Sequence, residues 1–319
     1  MNTTASATPL PTPAVSDLPP ISPLTEGHVP FRGHQIWYRV VGQDADGRLP
    51  LLTLHGGPGA AHDCIEPLGE LAVQGRRVIF YDQLGCGRSD TPHDPSLWTV
   101  ELFLNELETV RSALSLERFH LFGLSWGGML ALEYALRHPA GLTSLVLASA
   151  PASMARWTSE AGRLRRLLPA DVQETLRRHE ITGSTDIPEY QQAMLVFYER
   201  HVCRRRPWPD AVRRSMEQLM ASPEVYLTMN GPSEFHVTGT LRDWSVEERL
   251  GEISIPTLIT CGRYDECTPE MSASTAQAIP GAELVVFEES AHFAQAEEPE
   301  RYRQVADQFL TGVETRPFG

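Results

Sequence analysis

A serine at 125, an aspartate at 265 and a histidine at 292 supply the three side-chain types that serine-based acyl transfer requires. They also follow one another in the chain order serine, acid, histidine. A serine hydroxyl is a weak nucleophile at neutral pH, so a histidine must take its proton and a carboxylate must hold that histidine in the correct tautomer. Ser125 lies in Gly123-Leu124-Ser125-Trp126-Gly127, with glycines two residues before and two after. That spacing reads as a nucleophile elbow, in which the missing side chains let the backbone turn sharply and lift the hydroxyl clear of a sheet. Upstream, His55-Gly56-Gly57-Pro58-Gly59 is a glycine-rich turn where a backbone N–H can approach a substrate closely. The N–H groups of Gly57 and Trp126 would together form an oxyanion hole, each donor contributing about 3 to 4 kcal/mol in the transition state.

These residues need elements to bring them together. Phe119-His120-Leu121-Phe122 is a short apolar run suited to a buried strand, and Gly128 to Leu136 suits an amphipathic helix. Thr257 to Gly262 reads as a strand ending at Arg263-Tyr264-Asp265, and Glu283 to Phe287 as another ending at Ser290-Ala291-His292. Leu51 to Leu54 leads into the glycine-rich turn, and Val78 to Tyr81 leads into Asp82-Gln83-Leu84-Gly85-Cys86-Gly87. Each candidate group thus follows a strand end, which is where open α/β sheets build their sites. Asp82 reads as a structural loop residue rather than a second catalytic acid. From His28 to Gly42 the alternation suggests an antiparallel hairpin opening the sheet. A helical stripe over roughly 98 to 116 is read as core.

The ordered set HGGPG (55–59), YDQLGCGRSD (81–90), GLSWGG (123–128), GRYDECTP (262–269) and SAHFAQAEEPERY (290–302) resembles the proline iminopeptidase family of α/β-hydrolases. The likeness spans nearly the whole chain beyond its N-terminal arm. A serine at the elbow separates it from related hydrolases that use aspartate there. The resemblance implies a mostly parallel sheet flanked by helices, with a helical cap inserted. Composition sets off a proline-rich arm (1–25), and the resemblance divides the rest into a hydrolase core (26–151 and 251–319) and a cap (152–250). Strand patterning stops after Ala148 and resumes near Ile255, and between them Pro169, Pro188, Pro207, Pro209 and Pro223 break a helical stretch.

An enzyme of this kind must hold a free α-amine, and its cationic form is best met by carboxylates shielded from water. In the tricorn-interacting aminopeptidase branch one glutamate comes from the cap and one directly follows the catalytic aspartate. The matching positions are Glu234, in GPSEF, and Glu266, in YDECTP. Several bacterial members carry a cysteine three residues after the aspartate, where this chain has Thr268 and places Cys267 one position earlier. That departure favours the broader aminopeptidase branch over strict proline preference. The aromatics Trp157, Phe197, Tyr226, Phe235 and Trp244 are candidates either for pocket walls or for simple packing.

Composition excludes several other chemistries. The chain has 319 residues, 41% of them apolar, enough for a large core. It contains no lysine, so Schiff-base and Ser-Lys mechanisms are closed to it. A formal charge of −14 disfavours nucleic acid as a partner. Residues 152–250 hold fourteen arginines and fourteen acidic residues, so the acidic excess lies elsewhere. Cysteines 64, 86, 203, 261 and 267 are odd in number and read as reduced thiols of a cytoplasmic protein. The histidines show no convincing metal spacing, no cofactor is implied, and no run is apolar enough to span a membrane. The expected substrate is a short peptide, or an amino-acid amide or ester; an amidase or esterase, even one acting on a specialised metabolite, uses the same machinery. Oligomeric state is not legible.

Overall fold

A computed structural model describes residues 24–315. Eight strands form one sheet in the order β1-β2-β4-β3-β5-β6-β7-β8. They are β1 (Leu24–Phe31), β2 (His34–Val41), β3 (Leu51–Leu54), β4 (Val78–Tyr81), β5 (Phe119–Leu124), β6 (Leu142–Ala148), β7 (Thr257–Gly262) and β8 (Glu283–Phe287). β1 pairs with β2 and β2 with β4 in antiparallel fashion, and every other pairing is parallel. Residues 1–23 of the proline-rich arm lie outside the described residues. Leu24 and Thr25, assigned to the arm on composition, begin β1, where they pair with Val41 and Val40.

The central parallel strands are covered on both faces, so they read as continuous apolar runs. All six residues of β5 are buried. Neighbouring side chains on a strand alternate between two cores: Leu121 joins Val110 and Leu130, while Phe122 joins Leu68 and Leu310. The first core rests on α1 (Val100–Ala113), α2 (Trp126–Ala135) and α8 (Pro269–Ala278); the second on a 3-10 segment (His62–Gln74), α9 (Ala294–Glu297) and α10 (Pro299–Thr315). The hydroxyl of Thr99 caps α1 by accepting from the Leu102 amide at 3.1 Å. Contrary to the amphipathic reading, α2 is buried on nearly every side. Its one partly open residue, Glu133, accepts a 2.8 Å hydrogen bond from the Trp244 indole.

Between β6 and β7 the chain runs through α3 (Met154–Arg165), α4 (Ala170–Thr182), α5 (Pro188–His201), α6 (Asp210–Ala221) and α7 (Glu224–Met229). Four of the prolines sit at helix starts: Pro169, Pro209 and Pro223 directly precede α4, α6 and α7, and Pro188 opens α5. Proline lacks an N–H that the first turn would leave unpaired anyway.

Register aligns the functional ends of the strands. Leu54 faces Gly123, Leu124 faces Ala148, Ala148 faces Thr260 and Gly262 faces Phe287. The loops after β3, β5, β7 and β8 therefore emerge along one edge of the sheet.

At the other end, Glu314 of α10 ties the helix to the sheet. Its carboxylate accepts from Arg76 at 2.7 and 3.0 Å, from the Leu49 amide at 2.7 Å and from His120 at 3.2 Å. Burial acts to raise its pKa, but the hydrogen bonds from His120, Arg76 and Leu49 hold it well below the usual carboxylate range. The stabilisation is thus present above the ordinary glutamate pKa of about 4.3 and is lost as pH falls through the depressed folded value. Replacing Glu314 with Gln leaves the fully buried Arg76 guanidinium uncompensated, and is expected to cost about 3 kcal/mol at pH 7. A urea titration checks this: the variant's midpoint should fall at pH 7, and its deficit should shrink in strong acid.

Candidate active site

Ser125 adopts φ 53° and ψ −117° at the junction of β5 and α2. An L-residue reaches that region only under strain, which the surroundings must impose. Here the two flanking glycines are steric requirements, because a Cβ at Gly123 would run into the Gly127 carbonyl and one at Gly127 into the Leu54 carbonyl. The Ser125 amide donates to Ala148 O at 2.8 Å, and its carbonyl accepts from Gly128 and Met129, so the turn is pinned on both sides.

His292 follows β8 and Asp265 follows β7. The His292 Nδ1 lies 2.8 Å from Asp265 Oδ1, which also accepts from the Cys267 amide at 2.8 Å. All three candidate triad residues are buried, Ser125 least so. Ser125 and His292 line one cavity. Burial pushes the His292 imidazolium down, but the Asp265 carboxylate beside it, with the Glu234 and Glu297 charges, outweighs this and raises its pKa. The oxygen of a carboxylate bonded at Nδ1 leaves Nε2 as the position for proton exchange.

Gly57, with φ +110°, follows β3, and Trp126 is the first residue of α2, whose opening N–H groups have no intrahelical acceptor. Both border a narrow recess with Ser125 and Glu234. The motifs around them act as braces. Buried His55, its pKa lowered by desolvation, accepts at Nε2 from the Gln83 amide at 3.0 Å and points Nδ1 at Gly56 O. The Gln83 side chain accepts from the Trp126 indole at 2.8 Å, connecting both glycine-rich loops to the nucleophile's neighbour. Asp82 is structural: its carboxylate accepts from His62 and from the Arg88 amide, away from the cavity. Burial acts upward on its pKa, yet the His62 hydrogen bonds hold it low.

Glu234 and Glu266 line the same cavity as Ser125 and His292. Glu234 comes from the segment after α7, and its Oε1 accepts from the Tyr226 hydroxyl at 2.6 Å. Glu266 is almost wholly buried, and both of its carboxylate oxygens are without a hydrogen-bond partner. Its Oε1 lies 3.8 Å from His292 Nδ1. Burial raises the pKa of both glutamates, most strongly for Glu266, which also feels the Glu234 and Asp265 charges. A cation is the group that this pair of carboxylates lacks.

Glu297 carries no signature in the sequence, and the bonding role of Trp157, a candidate pocket-wall aromatic, is not legible there either. Buried Glu297 accepts from the Ala291 amide at 2.8 Å and from the Arg204 amide at 2.7 Å, fixing the loop that carries His292. Trp157 donates its indole N–H to the Glu234 carbonyl at 2.7 Å and presents an edge to His292, with ring centroids 6.0 Å apart. Of the other cap aromatics, Tyr226 lines the cavity, while Phe197 and Phe235 pack on each other at 4.8 Å. Thr268, at the position where the family's cysteine would fall, caps α8 by accepting from the Met271 amide. Among the described residues no cluster of His, Cys, Asp and Glu could hold a metal ion, and no helix is long and apolar enough to cross a membrane.

The family model for the alpha/beta hydrolase fold matches residues 50–299. A proline iminopeptidase of Saccharolobus solfataricus is 39% identical over 289 residues, covering 90% of this chain and 93% of that protein. The chain belongs to the proline iminopeptidase family. The crystal structure of proline iminopeptidase from Mycobacterium smegmatis superimposes with a TM-score of 0.85 at 44% identity, over 91% of this chain and 99% of that one. Another close relative of this family member is VinJ, whose crystal structure gives a TM-score of 0.89 at 46% identity and covers 92% of this chain and 100% of VinJ. Family membership thus extends well beyond the sheet into the helical insertion.

Proposed function

We propose that this chain is a serine aminopeptidase that releases an N-terminal residue, preferentially proline, from short peptides through an acyl-enzyme. The observation that carries the reading is the pair of unpartnered Glu266 oxygens, buried in the cavity that also holds Glu234, Ser125 and His292. Nothing in general acyl transfer calls for two carboxylates there. A protonated α-amine does, since it supplies the positive charge that both groups lack and donors for the unpartnered Glu266 oxygens. Relatives named proline iminopeptidase, matched over most of the chain, support the same conclusion.

In this mechanism Ser125 Oγ attacks the carbonyl carbon of the first residue while His292 accepts its proton. The N–H groups of Gly57 and Trp126 stabilise the oxyanion. The imidazolium, held by Asp265, then protonates the leaving amine, the C–N bond breaks and the shortened peptide departs. Water, deprotonated by His292, attacks the acyl-enzyme and frees the amino acid. Five free, buried cysteines fit a reducing compartment, and the reading places the enzyme in the cytoplasm.

A kinetic panel tests the assignment. Prolyl arylamide is expected to be cleaved best among prolyl, alanyl and leucyl arylamides, and N-acetylprolyl arylamide hardly at all. Equal turnover of blocked and free prolyl substrates, or a simple aryl ester outpacing both, would leave an amidase or esterase.

A further inference from the structure

The cavity has a volume of about 400 Å³, in the range that encloses a drug-sized ligand and more than one aminoacyl group fills. Its chemistry is markedly uneven. Glu234 and Glu266 share the cavity with Ser125 and His292, while much of the remaining wall is apolar, formed by buried Met194 and Phe293 and by the partly exposed Met216 and Leu219. The rim carries Met220, 64% exposed, and Leu227, 50% exposed, two large apolar side chains that line the cavity while facing water. The charged group at the outer part of the lining is another acid, exposed Asp186. Among the described residues no arginine lines the cavity, and the chain has no lysine to offer.

This distribution bears on what can follow the scissile bond. In a free dipeptide the leaving amino acid carries its carboxylate on the carbon next to the departing nitrogen. Such a carboxylate would enter a partly desolvated apolar space with no protein cation to receive it; the substrate's own ammonium is engaged by Glu234 and Glu266 and offsets only part of their charge, and Asp186 adds another acid. The imidazolium formed at His292 is transient and is already compensated by Asp265. An amidated, alkyl or longer peptidyl leaving group avoids the conflict, because it is neutral there or carries its carboxylate past the rim. The flexible methionine-rich wall accommodates varied apolar shapes.

Resting on the aminopeptidase reading, we propose that this site selects aminoacyl amides whose leaving amine is uncharged and apolar near the scissile bond, and discriminates against free dipeptides. The matched substrates are prolyl-leucine, prolyl-leucinamide and prolyl-3-methylbutylamide, which keep one side chain and present a carboxylate, a carboxamide or hydrogen. At pH 7 the two substrates with uncharged leaving groups are expected to exceed the dipeptide in kcat/KM by tenfold or more. Met220→Arg, and separately Leu227→Arg, each place a cation at the rim and are expected to raise dipeptide hydrolysis several-fold relative to the amide. Parity of prolyl-leucine with its amide in the parent, or an unchanged ratio in both variants, overturns the selection. N-acetylprolyl-leucinamide keeps the two readings apart, because its cleavage at the parent rate defeats the aminopeptidase assignment, whereas dipeptide–amide parity with the blocked substrate inert defeats only the charge selection.

Discussion

Ser125→Ala and His292→Ala are each expected to lower kcat by about 10⁴- to 10⁶-fold, and the double variant is expected to lose little more than either single one. The reason lies in the shared reaction coordinate. Without the hydroxyl the ring has no proton to receive, and without the ring the hydroxyl stays protonated. The remaining rate would come from the Gly57 and Trp126 donors and from substrate binding. Single-turnover kinetics on folded variants, with circular dichroism as the control, reads the outcome. A fluorophosphonate should label Ser125 in the parent and fail to label Ser125→Ala. Robust turnover by a folded Ser125→Ala protein would falsify the acyl-enzyme mechanism.

Glu234→Gln and Glu266→Gln are expected to lower kcat/KM for substrates with a free N-terminus by a factor equivalent to 2 to 5 kcal/mol, roughly 30-fold to several thousand-fold, while sparing neutral esters. Gln keeps size and one acceptor but removes the charge that a desolvated ammonium needs. Glu234→Gln carries a second, independent signature. The Glu234 charge helps raise the His292 pKa, so removing it should move the acid limb of the ester pH profile to lower pH. In the parent that limb is expected above the unperturbed histidine value of about 6.5, because the ring must be neutral to act as base and its pKa is raised. Equal loss on esters and peptides, with no movement of the limb, would assign both glutamates to folding alone.

What could be read from the sequence was whatever local sterics or strand ends impose at fixed offsets. Gly123 and Gly127 were legible because a side chain at either would strike backbone. Asp265 and His292 were legible because each directly follows a run of buried strand residues, and parallel register does the rest. Glu234 and Glu266 needed the family resemblance, since an isolated glutamate in a loop has no local feature to separate it from surface charge. Glu297, bonded to Arg204, and Trp157, bonded to Glu234, act across long sequence separations, and Tyr226 reaches Glu234 eight residues on; no periodicity encodes such contacts. The opening of β1 at Leu24 was hidden for a different reason: it depends on pairing with Val41, a tertiary event that proline-rich composition masks.

The short stretch that leaves α5 makes backbone hydrogen bonds to both functional loops. The Glu266 amide donates to His201 O at 3.2 Å, the His292 amide to Val202 O at 3.1 Å, and the Arg204 amide to Glu297. His201 also engages the Tyr264 carbonyl at 2.9 Å. The helical insertion is therefore no detachable roof, because it serves as the keystone between the loops that carry Asp265 and His292. A rigid swing of the whole insertion would pull Asp265 and His292 out of alignment. The exposed cavity-lining Met220 and Leu227 belong to α6 and α7, elements that make none of these bonds, so a change there leaves the exit of α5 in place.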